Sequence, residues 1–143
     1  MDRSIVYVDK AEDESGVRMY SRIGKAVIPY CSAVGKAILA NLDEPRRDAV
    51  LAGVTWERFT DLTITTRERL DDELVRVRAR GWATDDREFE PYVNCLAVPI
   101  LSPLGVVGAV SVTAIRMVAD LDRLRANLPA MRETADAIAR ELG

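Results

Sequence analysis

The sequence predicts one globular unit of α/β type, in which extended strands carry packed helices. Three observations predict it. At 143 residues the chain has the size of a single domain and room for a proper core. Segments in which apolar and polar residues alternate stand beside segments whose apolar residues recur three and four apart. Hydrophobic residues make up 48% and charged residues 30%, and no apolar run approaches membrane-spanning length or forms a signal peptide. The expected location is therefore the cytoplasm.

Taken in order, residues 4–9 (SIVYVD) alternate and read as a strand, residues 11–16 as a charged loop, and residues 17–23 as a second, half-exposed strand. Gly24 and Lys25 make a turn. Ser32 is a good N-cap for a short helix over residues 33–41, with Val34, Ala37, Ile38 and Leu42 as its apolar stripe. Asp43 caps the next helix, with Pro45 in its first turn and Gly53 at its end. Residues 54–64 form a connecting loop containing Trp56 and Phe59. Thr65 and Glu68 form a capping box for an amphipathic helix to Arg80, which buries Leu70, Leu74 and Val77 and stops at Gly81. Residues 82–89 (WATDDREF) read as a strand. In the last segment Leu121, Leu124, Leu128, Met131, Ala135, Ile138 and Leu142 make one continuous seam. Pro129 interrupts that seam and requires a kink or two abutting helices.

Residues 94–113 (NCLAVPILSPLGVVGAVSVT) form a β-hairpin around Ser102-Pro103-Leu104-Gly105. A type I turn closed by a Gly bulge gives a three-residue loop, which sets Ser102 opposite Val106, Ala97 opposite Ser111 and Cys95 opposite Thr113. Alternation then sends Leu96, Val98, Ile100, Val110 and Val112 to one face. Cys95, Ala97, Pro99, Ala109, Ser111 and Thr113 go to the other. The bulky face suits the seamed C-terminal helix. The small, faintly polar face leaves volume that either large side chains or a small molecule must fill, and a small molecule is the expectation taken here. Pro99 cannot donate to a ladder, so its strand is an edge there or carries a bulge.

Composition removes most catalytic chemistry. The chain has no histidine, hence no Ser-His or Cys-His pair and no His-ligated metal; an enzyme would have to run on carboxylates, lysine or a thiolate. Asp85 and Asp86 are neighbours on a strand and point to opposite faces, so they form no acid/base dyad. A net charge of -3 of mixed sign gives no footprint for nucleic acid. Cys31 and Cys95 sit in apolar contexts and read as buried free thiols. At the mouth of the first helix, the amides of Ala33, Val34 and Gly35 with the positive end of the helix dipole offer a seat for a carboxylate or phosphate.

Four stretches, IVYVDKAE, CSAVGKAILANL, LTITTRERLDDELVRVRARGWATDDREF and NCLAVPILSPLGVVGAVSV, occur in the order and spacing of one family, and over essentially its whole length the chain resembles the effector-binding domain of the IclR bacterial transcriptional regulators. The resemblance implies an α+β, GAF-like fold over residues 1–143: an antiparallel sheet with helices packed on it and a small-molecule pocket. It implies a sensor for a small organic acid or related metabolite, with no catalytic residues, metal or cofactor, that assembles as a homodimer or tetramer. Such a sensor acts on DNA only through a separate N-terminal winged helix-turn-helix domain, which the chain is expected to lack. By the same resemblance the effector-binding residues are Ile28, Ala33, Val34, Gly35, Asp85, Val93, Cys95, Ser111 and Thr113. The ligand's carboxylate would meet the helix-mouth amides and the Ser111 and Thr113 hydroxyls. Pro91-Tyr92 replaces the small residue common in the family, so the Tyr92 ring is expected to narrow the pocket or stack on the ligand. Two other readings stand beside this one: a cysteine-based enzyme with Cys95 as nucleophile, and a pure oligomerisation module.

Overall fold

The computed structural model describes residues 4–12 and 23–143. All of the expected strand over residues 17–23 except Ile23, which lies in a turn, and most of the charged loop before it lie outside these. Residues 4–9 form no regular strand. They meet residues 24–27 through one bridge, Val6 to Ala26, with Val27 N–H donating to Ile5 at 2.7 Å and Gly24 N–H to Tyr7 at 2.6 Å. Gly24, at φ +81°, takes the left-handed conformation at the start of this short contact.

Eight elements follow. They are α1 (Ala33–Leu39), α2 (Glu44–Leu51), α3 (Arg67–Arg80), β1 (Ala83–Asp86), β2 (Val93–Ser102), β3 (Gly105–Ile115), α4 (Leu121–Arg125) and α5 (Leu128–Leu142). Among the described residues the sheet is antiparallel in the order β1-β2-β3. Ser32 caps α1 and Asp43 caps α2, as their side chains predict. The cap of α3 is Thr66, whose hydroxyl accepts from Arg69, and not Thr65; two adjacent threonines offered the same chemistry one residue apart. Gly81 ends α3 at φ +85°. Of the two outcomes open at Pro129, two helices result, with the proline in the first turn of α5, where its missing N–H costs nothing.

β1 is half the expected length. Arg87 adopts φ +57°, and its carbonyl and that of Glu88 are held by the Thr60 and Thr63 hydroxyls at 2.7 and 2.6 Å. The chain therefore leaves the ladder at Asp86 and runs as a loop to Val93.

The hairpin register contains a correction that cancels itself. The turn holds two residues, Pro103 and Leu104, so that Ser102 faces Gly105 and Leu101 faces Val106. A bulge follows, because Ile100 pairs with Gly108 and leaves Val107 extra. Below the bulge Ala97 faces Ser111 and Cys95 faces Thr113, as counted from the three-residue loop.

Each face finds its partner. Leu96, Val98 and Ile100 pack with Leu124, Met131 and Ala135, so the seam of α4 and α5 covers the bulky face, while Leu142 ends exposed. The small face is largely covered by α1, whose Ala33 and Ala37 pack with Cys95, Ala97 and Ala109. Protein, and not a ligand, therefore fills most of the space over the small face, and alanines on both sides let the helix lie close.

Candidate functional site

What α1 leaves open is the Cys95–Thr113 end of the sheet. A cavity of about 50 Å³ lies there, walled by Ile28, Cys31, Ser32, Ala33 and Val34 at the start of α1, by Asp85 of β1, by Phe89 and Glu90 of the following loop, by Val93, Cys95 and Thr113 of the hairpin, and by Tyr7. At about 10 to 15 Å³ per water this is room for roughly three to five water-sized groups.

Seven of the nine expected residues are among these walls, Ile28, Ala33, Val34, Asp85, Val93, Cys95 and Thr113; Gly35 and Ser111 are not. Gly35 serves packing instead. A Cβ there would lie 2.5 Å from the Pro29 carbonyl oxygen and 2.7 Å from Ser32 Oγ, so glycine admits the backbone of residue 29 and not a ligand. Its amide is also taken, because Ser32 Oγ accepts from it at 3.1 Å while donating to the Ile28 carbonyl at 2.8 Å. Only the Ala33 and Val34 amides remain without a partner in the helix. Ser111 stands one row further along the same face and bonds to the Cys95 thiol. Tyr92 neither narrows nor lines the site: it is 72% exposed.

Sequence reasoning missed a buried ion pair. Lys36 sits in the middle of α1 at 1% exposure, and its Nζ donates to both Glu88 oxygens at 2.8 Å. Glu88 also accepts from the Asp86 amide at 3.0 Å, and its own amide donates to Asp85 Oδ1 at 2.7 Å. The pair therefore ties α1 to the loop that walls the cavity. A signal was available: α1 is apolar on every side, and a helix of that kind is buried, so its single lysine had to find a buried anion.

Electrostatics follow from burial. Loss of water lifts the Asp85 carboxyl to about 7, the nearby Glu88 charge adds to this, and the Glu88 and Phe89 amides and Lys36 oppose it. Burial pushes Cys95 up to about 12 against the Thr113 hydroxyl, which donates to its sulfur at 3.1 Å. Cys31 is raised too, by burial and then by the charges of Asp85 and Glu88. Both thiols are free and buried. The site thus combines an apolar floor, a hydroxyl, two helix-end amides and a carboxyl group that is half protonated near neutral pH, which is equipment for holding a small polar molecule.

The antiparallel sheet, three-stranded among the described residues, with helices on both faces and a small cavity at one end defines a GAF-like α+β domain, as in the IclR C-terminal domains it superposes on. The family model for the bacterial transcriptional regulator IclR C-terminal domain matches residues 1–140, and the chain belongs to that family. It is 36% identical over 141 residues to the HTH-type transcriptional regulator KdgR of Escherichia coli, covering 98% of this chain and 54% of KdgR. The chain thus spans about half the length of that relative. The Thermotoga maritima IclR structure matches with a TM-score of 0.87 at 35% identity, over 96% of this chain and 56% of that one. The inducer-binding domain of the PobR transcription factor from Acinetobacter, solved with 3-hydroxybenzoic acid, matches with a TM-score of 0.78 over 88% of this chain and 74% of that one; at 24% identity the likeness is one of fold.

Proposed function

We propose that this domain is the ligand-sensing part of a transcriptional regulator, that it binds a small organic acid in the cavity at the mouth of α1, and that binding alters DNA affinity in a separate N-terminal winged helix-turn-helix domain. The observation that carries the reading is the composition of one cavity. Amides of Ala33 and Val34, the Thr113 hydroxyl and Asp85 converge on a space otherwise walled by Ile28, Phe89 and Val93. Such a regulator works in the cytoplasm as a homodimer or tetramer and touches DNA through the separate domain alone; among the described residues no helix is long and apolar enough to cross a membrane. A ligand switches such an assembly only by binding one state better, typically by about 1 to 3 kcal/mol. The cysteine-enzyme alternative is disfavoured, since a thiol raised to about 12 supplies almost no thiolate at neutral pH. The oligomerisation-only alternative is disfavoured too, because Tyr92 points to solvent and leaves the cavity unfilled.

Calorimetric titration with acetate, propionate and lactate, with 3-hydroxybenzoate as an oversized member, tests the reading. Binding of the small acids is the expected result, weakened by up to about tenfold in Thr113→Val, because the hydroxyl that meets the carboxylate must first turn away from the Cys95 sulfur to which it donates. Failure of every acid to bind, or identical affinity in Thr113→Val, would remove the reading or the residue.

A further inference from the structure

The groups buried beside the cavity do not balance in charge. Lys36 is held by both oxygens of Glu88 at 2.8 Å, so its charge is matched there. Asp85, at 7% exposure, accepts amides of Glu88 and Phe89, which are dipoles and not counter-charges. Its other ionisable surroundings are Cys31 before α1, Cys95 across the ladder, Glu90 on the loop and Tyr7 of the N-terminal segment, none of them a cation. Among the described residues no Lys or Arg lines the cavity, and the cation that bears on Asp85 is Lys36.

An acid seated among these walls brings a further negative charge against Asp85, whose carboxyl is itself part of the wall. Two carboxylates at such a distance, with no free cation between them among the described residues, cannot both be ionised. We propose that the cavity takes up its organic acid together with one proton, drawn from solvent and shared between the ligand carboxylate and Asp85. The bookkeeping closes: the anion adds one negative charge, the proton cancels it, one O–H bond forms, and no other bond changes. This rests on the acid-binding reading above. Burial prepares the step, because Asp85 already holds its proton half the time near neutral pH.

The effector is thereby specified by class. A monocarboxylate binds with a proton, and a neutral amide of the same shape binds without one. Above about pH 7 the affinity for the acid falls about tenfold per pH unit, because the free protein must first regain the proton; below about pH 6 it levels off.

Calorimetric titration of the domain with propionate, and separately with propionamide, in two buffers of different ionisation heat tests this between about pH 5.5 and about pH 8.5. The expected result is close to one proton taken up per propionate near pH 8, almost none near pH 5.5, and none for propionamide at either pH. Asp85→Asn is expected to flatten the pH dependence of propionate binding. Propionate binding without proton uptake near pH 8, or an unchanged pH slope in Asp85→Asn, would overturn the proton-coupled step while leaving acid binding intact. Absence of acid binding at every pH would overturn the acid-binding reading, and this inference with it.

Discussion

Replacing Asp85 by Asn separates the energetic burden of the cavity wall from the stability of the rest of the fold. In the unfolded chain Asp85 titrates near its ordinary 3.8, whereas burial in the folded protein lifts it to about 7. Between those values the folded state holds a proton that the unfolded state has released, so stability falls as pH rises, by about 1.4 kcal/mol per unit. The favourable contribution is complete below about pH 4 and lost above about pH 7, a total of about 4 kcal/mol. Asparagine keeps an oxygen toward the Glu88 and Phe89 amides and never ionises. Wild type and Asp85→Asn should therefore unfold at the same urea concentration near pH 4, while the variant should be the more stable by about 4 kcal/mol near pH 8. Urea melts followed by Trp56 and Trp82 fluorescence across that range read the difference; the cysteine thiols, both raised from 9, stay out of it. Parallel stability curves for the two proteins, or a variant less stable near pH 8, would refute the argument that Asp85 is held without a counter-ion.

Three further outcomes are expected. Lys36→Met leaves the Glu88 carboxylate buried without its cation and should lose about 3 to 5 kcal/mol in urea melts, most of it recovered in Lys36→Met/Glu88→Leu; equal loss in the single and double variants would show that packing, not charge, sets the effect. Gly35→Ala drives a methyl against Pro29 and Ser32 and should destabilise by about 1 to 3 kcal/mol, whereas a neutral result would mean that residues 29–32 yield easily. Folded protein should resist iodoacetamide near pH 8, with Cys31 and Cys95 modified at least about 100-fold more slowly than in urea by mass spectrometry; modification of either at the unfolded rate would contradict its burial.

Local chemistry made much of this fold readable. Strict alternation from Asn94 to Thr113 assigned both faces of the hairpin, and Ser32, Asp43 and Gly81 marked helix ends because capping needs those side chains or that backbone freedom. What stayed hidden depends on contacts distant in sequence. β1 stops early because Thr60 and Thr63, more than twenty residues upstream, hold the loop after Asp86. Lys36 meets Glu88 across fifty-two residues, and no local pattern pairs them. Gly35 reads as one of three amides that seat an anion, but its missing side chain admits Pro29, a role that only the packed backbone reveals. Ser111 shares the face of Cys95, yet it lies one row beyond the cavity, and how far along a small face a cavity reaches cannot be counted from alternation.

The self-cancelling hairpin tip has a practical consequence. Cys95 faces Thr113 despite a loop one residue shorter than expected, so the alignment is dictated from below, by α1 on one side and by α4 and α5 on the other, and the tip merely takes up the slack at Val107. Leu104 is 90% exposed. A fluorescent reporter grafted between Pro103 and Leu104 should therefore leave the cavity walls in place, which makes the far end of this ribbon a natural handle for turning the domain into a biosensor.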